Sequence, residues 1–201
     1  MDTIVLDLDG TLVSTTSTRV SIKGGTKYVD NMIIYKRPNV DKFVQFILAN
    51  FRYICIWSDS VPDYIEKVAK MLFKNKLDSI TCIFDRKDCD ACLRTYNRKK
   101  DLRYIQDKYN HSIHRMIIVD NISENLERSQ NKIVVKTMEF DEMVQNLPGQ
   151  RRLNGTIKDD IKKQTYKKDT ELLAIIEKLK QKLSVQNVRG GDVQRRTKLM
   201  A

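Results

Sequence analysis

The sequence predicts an α/β fold: a mostly parallel sheet flanked by helices, with a small β-hairpin insertion and a basic helical C-terminal extension. Three observations point there. Short apolar runs alternate with stretches of helical periodicity from Thr3 to about Leu147, the pattern of strands joined by crossover helices. Several of those runs end abruptly in acids, amides or hydroxyls, as strands do where an open sheet meets its ligand. The charge is uneven: residues 1–150 hold 23 Lys and Arg against 20 Asp and Glu, whereas residues 151–201 hold 14 against 6.

The first element is Ile4-Val5-Leu6, a buried strand that ends in Asp7 and Asp9. Alternation along an extended chain puts both carboxylates on one side, at the carboxyl end of the strand. Two acids so close repel unless a cation or a shared proton lies between them, and hard oxygen ligands suit Mg²⁺. Gly10 allows a sharp turn, and Thr11 can hold the acids by local hydrogen bonds. Asp-x-Asp-Gly also occurs as a plain turn and as a fragment of a calcium loop. With Asp9 as the first position of that loop, however, Val20 occupies the last, where a closing Glu is needed.

Polar residues Ser14 to Thr18 follow, and then Arg19–Ile22 and Met32–Tyr35 read as strands of an inserted hairpin around Gly24-Gly25. Arg37-Pro38 opens a helix carrying Val40, Phe43, Val44, Ile47 and Leu48 at helical spacing. Tyr53–Trp57 is a second buried strand ending in Ser58-Asp59-Ser60, with Pro62 near the start of a helix running to about Phe73. Ile80–Phe84 is a third strand, followed by a polar loop containing Cys89 and Cys92. A helix begins at Lys100-Asp101-Leu102 and ends near Tyr109. Met116–Val119 is a fourth strand ending at Asp120-Asn121, Ile133–Val135 a fifth, and Phe140–Leu147 a last core helix. Pro148-Gly149 marks a boundary, so residues 1–148 are expected to form the catalytic domain and 149–201 a basic, partly helical or flexible tail. In that tail Leu172, Ile176, Leu179 and Leu183 form one helical stripe, too short for a coiled coil.

Composition narrows the class. The chain has 201 residues, 41% of them hydrophobic and 31% charged, which suits a soluble protein with a real core. No run approaches the roughly 18 to 20 apolar residues of a membrane span. Asp2, Asp7 and Asp9 interrupt what would be the apolar region of a signal peptide, so an intracellular, reducing compartment (cytoplasm or nucleus of the host cell) is expected for the four cysteines. Cys89-Asp-Ala-Cys92 has the spacing of half a zinc site, but no second half follows, and two loop cysteines are the preferred reading. The net charge of +11, concentrated in the tail, suits a nucleic acid or another polyanion as partner.

Together the strand ends suit phosphoryl transfer, which needs a nucleophile, a proton donor and cations around the phosphate. Asp7 would attack phosphorus to give an aspartyl-phosphate, and Asp9 would serve as general acid and then base. Ser58, the backbone N–H groups after it and Lys100 would hold the phosphoryl oxygens. Mg²⁺ would sit on the Asp7 carboxylate, the Asp9 carbonyl and Asn121, with Asp120 orienting a bound water.

The Asp7–Thr11 segment closely resembles the first motif of the haloacid-dehalogenase-type phosphotransferases, whose sheet is Rossmann-like. Ile34–Phe43, with Lys36-Arg37-Pro38 and Val40-Asp41, resembles a segment of the small C-terminal-domain phosphatases, which share the domain of the transcription-factor-IIF-associated phosphatase. Lys100-Asp101-Leu102 and Ile118–Asn121 resemble two further elements of that family, over roughly residues 2–147. The resemblance implies a Mg²⁺-dependent phosphoserine/phosphothreonine phosphatase, acting on a phosphorylated protein such as the C-terminal domain of RNA polymerase II. Similar stand-alone proteins are encoded by large DNA viruses, which makes such a virus a candidate source. Two alternatives stay open: a polynucleotide 3′-phosphatase, and an inactive phosphatase-like binding module. The sequence departs from the family in three places. Gly10 stands where an acid is usual, Ser58-Asp59 replaces Thr-Ala, and the inserted hairpin is shorter. Asp59 is expected to place a negative charge close to the bound phosphate.

Overall fold

The computed structural model describes residues 1–16, 27–29, 32–110, 112–136 and 169–198. Its centre is a five-stranded parallel sheet made of β1 (Thr3–Leu6), β5 (Tyr53–Trp57), β6 (Ile80–Phe84), β7 (Met116–Asp120) and β8 (Lys132–Val134), in the order β6-β5-β1-β7-β8. β1 therefore lies between β5 and β7, with Leu6 opposite both Ile56 and Val119. The chain runs outward from β1 to one edge and then returns to build the other. The carboxyl ends of β5, β1 and β7 meet where this reversal occurs, the place where open α/β sheets bind ligands.

A second, antiparallel sheet follows β1, with β4 (Met32–Lys36) between β2 (Val13–Thr16) and β3 (Lys27–Val29). Part of this insertion was legible as Met32–Tyr35; β2 was not, because its polar Ser and Thr read as a loop. Three of its four residues, Val13, Thr15 and Thr16, are β-branched and suit an extended chain. The expected strand at Arg19–Ile22 and the expected helix at Phe140–Leu147 lie outside the described residues.

Helices cover both faces of the sheet: α1 (Val40–Asn50), α2 (Pro62–Phe73), α3 (Arg86–Tyr96), α4 (Leu102–Tyr109) and α5 (Glu171–Lys198). Alternation along β1 sends Ile4 and Leu6 to the core beneath α1 and α2, and Val5 to the core beneath α3 and α4. Burial of each such side chain contributes about 1.5–3 kcal/mol. On the second face Trp57 packs, rings tilted, against Phe84 and Tyr104 at centroid distances of 5.1 and 5.7 Å. Leu172, Ile175, Ile176 and Leu179 of α5 are buried in the same cluster as α1.

Two readings of the cysteines need correction. The stretch after β6 is helix α3, not a loop. Asp85 caps its first turn by accepting from the Lys87 and Asp88 amides, and the Asp88 side chain accepts from the Asp85 amide in return. Cys89 and Cys92, three residues apart on one helical face, are fully buried in the second core. Burial pushes their thiols up to about 12 and about 11, so they stay protonated. Cys55 and Cys82, register partners on β5 and β6, are joined by a disulfide, which a reducing compartment did not lead one to expect. Among the described residues no helix is long and apolar enough to cross a membrane.

Candidate active site

Asp7 is the first residue past β1, where the ladder still holds it: its amide donates to Val119 O. The turn that follows is built by its own backbone, with the Thr11, Leu12 and Val13 amides all donating to Leu8 O. Gly10 takes φ +76°, and a Cβ there would lie 2.4 Å from the Asn121 amide. Only glycine allows this turn to approach the end of β7 so closely. Thr11 Oγ1 then donates to Asp7 Oδ2 at 2.7 Å, fixing one oxygen of the carboxylate.

The other oxygen faces a cation. Lys100 Nζ lies 2.7 Å from Asp7 Oδ1 and 2.6 Å from Asp120 Oδ2, and all three side chains are buried. Burial alone would push the lysine down, but the Asp7 and Asp120 carboxylates prevail and hold it above its usual range. Burial, seconded by the charge of Asp7, raises Asp120 above the usual carboxylate range against the pull of Lys100. The other Asp120 oxygen accepts from the Ile122 amide at 2.7 Å. The Lys-Asp-Leu element places this lysine by simple means. Its amide donates to Asn125 O, Asp101 caps α4 through the Arg103 amide, and Leu102 is buried.

Asp9 has a different setting. Tyr64 of α2 donates its hydroxyl to Asp9 Oδ1 at 2.5 Å, and Ser60 Oγ lies 3.3 Å from Oδ2. Burial raises the Asp9 carboxyl to about 6; the Tyr64 and Ser60 hydrogen bonds oppose that rise and the charge of Asp7 adds to it. Burial and the Asp9 charge raise Tyr64 too, so it remains a donor. Neither Ser60 nor Tyr64 was legible as a site residue. Their only signal is proximity to Ser58, at the start of a helix that follows the second strand.

Whether Mg²⁺ fits can be judged from one contact. One end of the Asn121 amide lies 3.1 Å from Thr11 Oγ1, 3.2 Å from Asp7 Oδ2 and 3.2 Å from the Asp9 carbonyl oxygen. With the amide nitrogen at that end it would donate to all three; with the amide oxygen there, the Asp7, Asp9 and Asn121 oxygens face one another with the Thr11 hydroxyl as the donor at hand. Oxygens around Mg²⁺ at roughly 2.1 Å stand about 3 Å apart along an octahedral edge, so this set fits the ion. The set is mixed: among the described residues no three His, Cys, Asp or Glu side chains gather as a metal cage.

Ser58 is buried at the end of β5, its amide bonded to Phe84 O. Asp59 beside it carries its negative charge in a pair of ion contacts. Lys99 Nζ lies 2.5 Å from its Oδ2, Arg86 Nε 3.5 Å from its Oδ1, and the Arg86 guanidinium also donates to its carbonyl. The structure thus gathers Asp7, Asp9, Lys100, Asp120 and Asn121 at the ends of β1 and β7, and sets Ser58 at the neighbouring end of β5.

A family model described as NLI interacting factor-like phosphatase matches residues 2–147. The fold is similar to that of the fission yeast RNA polymerase II CTD phosphatase Fcp1 bound to beryllium fluoride. The TM-score is 0.68 and the identity 15%, over 97% of this chain and 66% of that one. A second structure, of Fcp1 described as an essential RNA polymerase II CTD phosphatase, gives a TM-score of 0.66 and 16% identity over 96% and 65%. The chain thus spans just under two thirds of the length of either. No curated protein matches the sequence.

Proposed function

The chain belongs to the NLI interacting factor-like phosphatase family, and on that premise we propose that it is a Mg²⁺-dependent phosphatase of phosphoserine and phosphothreonine in proteins. Its proposed substrate is the phosphorylated C-terminal domain of RNA polymerase II, on which the structurally similar Fcp1 acts. The observation that carries the reading is Lys100 Nζ set between Asp7 and Asp120, beside the three facing oxygens. We assign residues 1–148 to the catalytic unit and 149–201 to a basic extension, whose 14 Lys and Arg support contact with a polyanion.

Asp7 Oδ2, the Asp9 carbonyl and Asn121 would hold the cation, and Asp120 would orient a bound water. The cation supplies charge neutralisation at the phosphoryl oxygens. Asp7 Oδ1, beside Lys100, is then the oxygen that attacks phosphorus. Lys100 has three donors, two of them on carboxylates, which leaves one for a phosphoryl oxygen. Ser58 supplies a hydroxyl at the next strand end. Asp9, protonated below about pH 6, gives its proton to the leaving serine oxygen. The resulting carboxylate takes a proton from the water that cleaves the aspartyl-phosphate, which regenerates Asp7 and releases phosphate. The paired test is hydrolysis, with and without Mg²⁺, of a phosphoserine peptide and a 3′-phosphorylated oligonucleotide. Turnover of the peptide alone supports the proposal; turnover of the oligonucleotide alone would assign a polynucleotide 3′-phosphatase, and of neither a binding module.

The raised Asp9 carboxyl sets a pH dependence. A general acid works in its protonated form, so kcat/KM on a phosphoserine peptide should fall as pH rises through about 6. An aryl phosphate, whose leaving group needs little protonation, should fall less. Asp9→Asn should lower the peptide rate about 10² to 10⁴-fold, lower the aryl phosphate rate much less, and remove the difference in their pH dependence. Equal losses on both would leave Asp9 with metal binding alone.

Asp59→Ala frees Lys99 and Arg86 from their counter-charge. The expected result is a several-fold rise in kcat/KM for anionic peptides, largest at low salt. A kcat/KM that stays flat across ionic strength would make the pair a purely structural one.

A further inference from the structure

Arg37 is almost fully buried and ties three parts of the chain together. Its Nη1 donates to the carbonyls of Gly10 and Thr11 at 3.3 and 3.0 Å, and its Nη2 to Lys136 O at 2.7 Å. Its Nε donates to Asp169 Oδ2 at 2.9 Å. Asp169 comes 132 positions later in the chain and lies beyond the segment matched by the family model. Its other oxygen accepts from the Glu171 amide at 2.9 Å, so the same carboxylate caps the first turn of α5. Glu171 in turn accepts from the Lys136 amide.

A buried guanidinium is costly to leave unpaired, and Asp169 is the carboxylate that meets it among the described residues. The carbonyls that Arg37 grips belong to the turn whose Thr11 hydroxyl fixes Asp7. Through these contacts we propose that Asp169 is a positioning residue for the catalytic turn: by holding Arg37 it sets the Gly10–Thr11 backbone, and with it the nucleophile. The basic extension then braces the catalytic unit from outside, through the start of its helix. The catalytic consequence rests on the phosphatase reading; the effect on the turn does not.

The test uses the full chain and two readouts. Asp169→Asn keeps the shape of the side chain and removes its charge. Amide exchange at Thr11, Leu12 and Val13, which all bond Leu8 O, should quicken at least about tenfold. On p-nitrophenyl phosphate kcat should fall roughly ten- to a hundredfold with KM within about twofold, as expected for a misplaced nucleophile. Asp169→Glu, which restores the charge, should recover most of both effects. Loss of protection confined to Leu173 and Ala174 of α5, with the turn unchanged, overturns the proposal. Exchange of the wild-type chain in low denaturant decides the case if Asp169→Asn does not fold. The turn and the start of α5 must open together, and α5 opening alone refutes the coupling. A wild-type chain that hydrolyses no phosphate ester would refute the phosphatase reading, and the exchange data would still decide this one.

Discussion

Asp7→Asn is expected to lower phosphatase activity at least about a thousandfold while the chain stays folded. The substitution is nearly isosteric and removes the carboxylate proposed both to attack phosphorus and to hold the cation. Lys100 keeps Asp120 as a partner at 2.6 Å, so no buried charge is stranded. Activity on a phosphoserine peptide and the melting temperature, measured together, check this. A variant retaining more than a few per cent of activity would exclude Asp7 as the nucleophile.

Lys100→Met should have the largest effect on stability, a loss of about 3–5 kcal/mol, together with loss of activity. Two buried carboxylates would then face each other without their cation. The sign of the pH dependence follows from the protonation of Asp120. Asp120 already lies above its unfolded range, and removal of Lys100 raises it further. The native state of the variant would hold protons that its unfolded state releases, so its deficit should grow as pH rises through and beyond the ordinary carboxylate range. Denaturant unfolding of both chains at acidic and neutral pH measures this. A deficit independent of pH would mean that lost packing of the lysine stem, not charge, causes the loss.

Much of the site could be read before the structure because its parts lie at strand ends. Asp7, Asp9, Ser58, Asp120 and Asn121 each follow an apolar run, and a parallel sheet brings the ends of such runs together. Lys100 was marked by the helix start beside it. What escaped depended on contacts between distant residues. Tyr64 reaches Asp9 across 55 positions and Lys99 reaches Asp59 across 40. No local pattern announces either contact, so the partners of Asp9 and Asp59 were not legible. The loop assigned to residues around Cys89 was a different error. Asp85 and Asp88 carry the spacing of a capping box, but their neighbours are too polar for the hydrophobic periodicity of α3 to stand out.

The covalent step on Asp7 can be observed directly. The enzyme is quenched in acid during turnover of a phosphoserine peptide in the presence of Mg²⁺, reduced with borohydride and digested. An aspartyl-phosphate is converted to homoserine, so the peptide containing Asp7 should carry that change in proportion to turnover, and Asp7→Asn should carry none. Steady turnover with Asp7 unmodified, or with the phosphoryl group recovered on Ser58 or another residue, would contradict nucleophilic catalysis by Asp7.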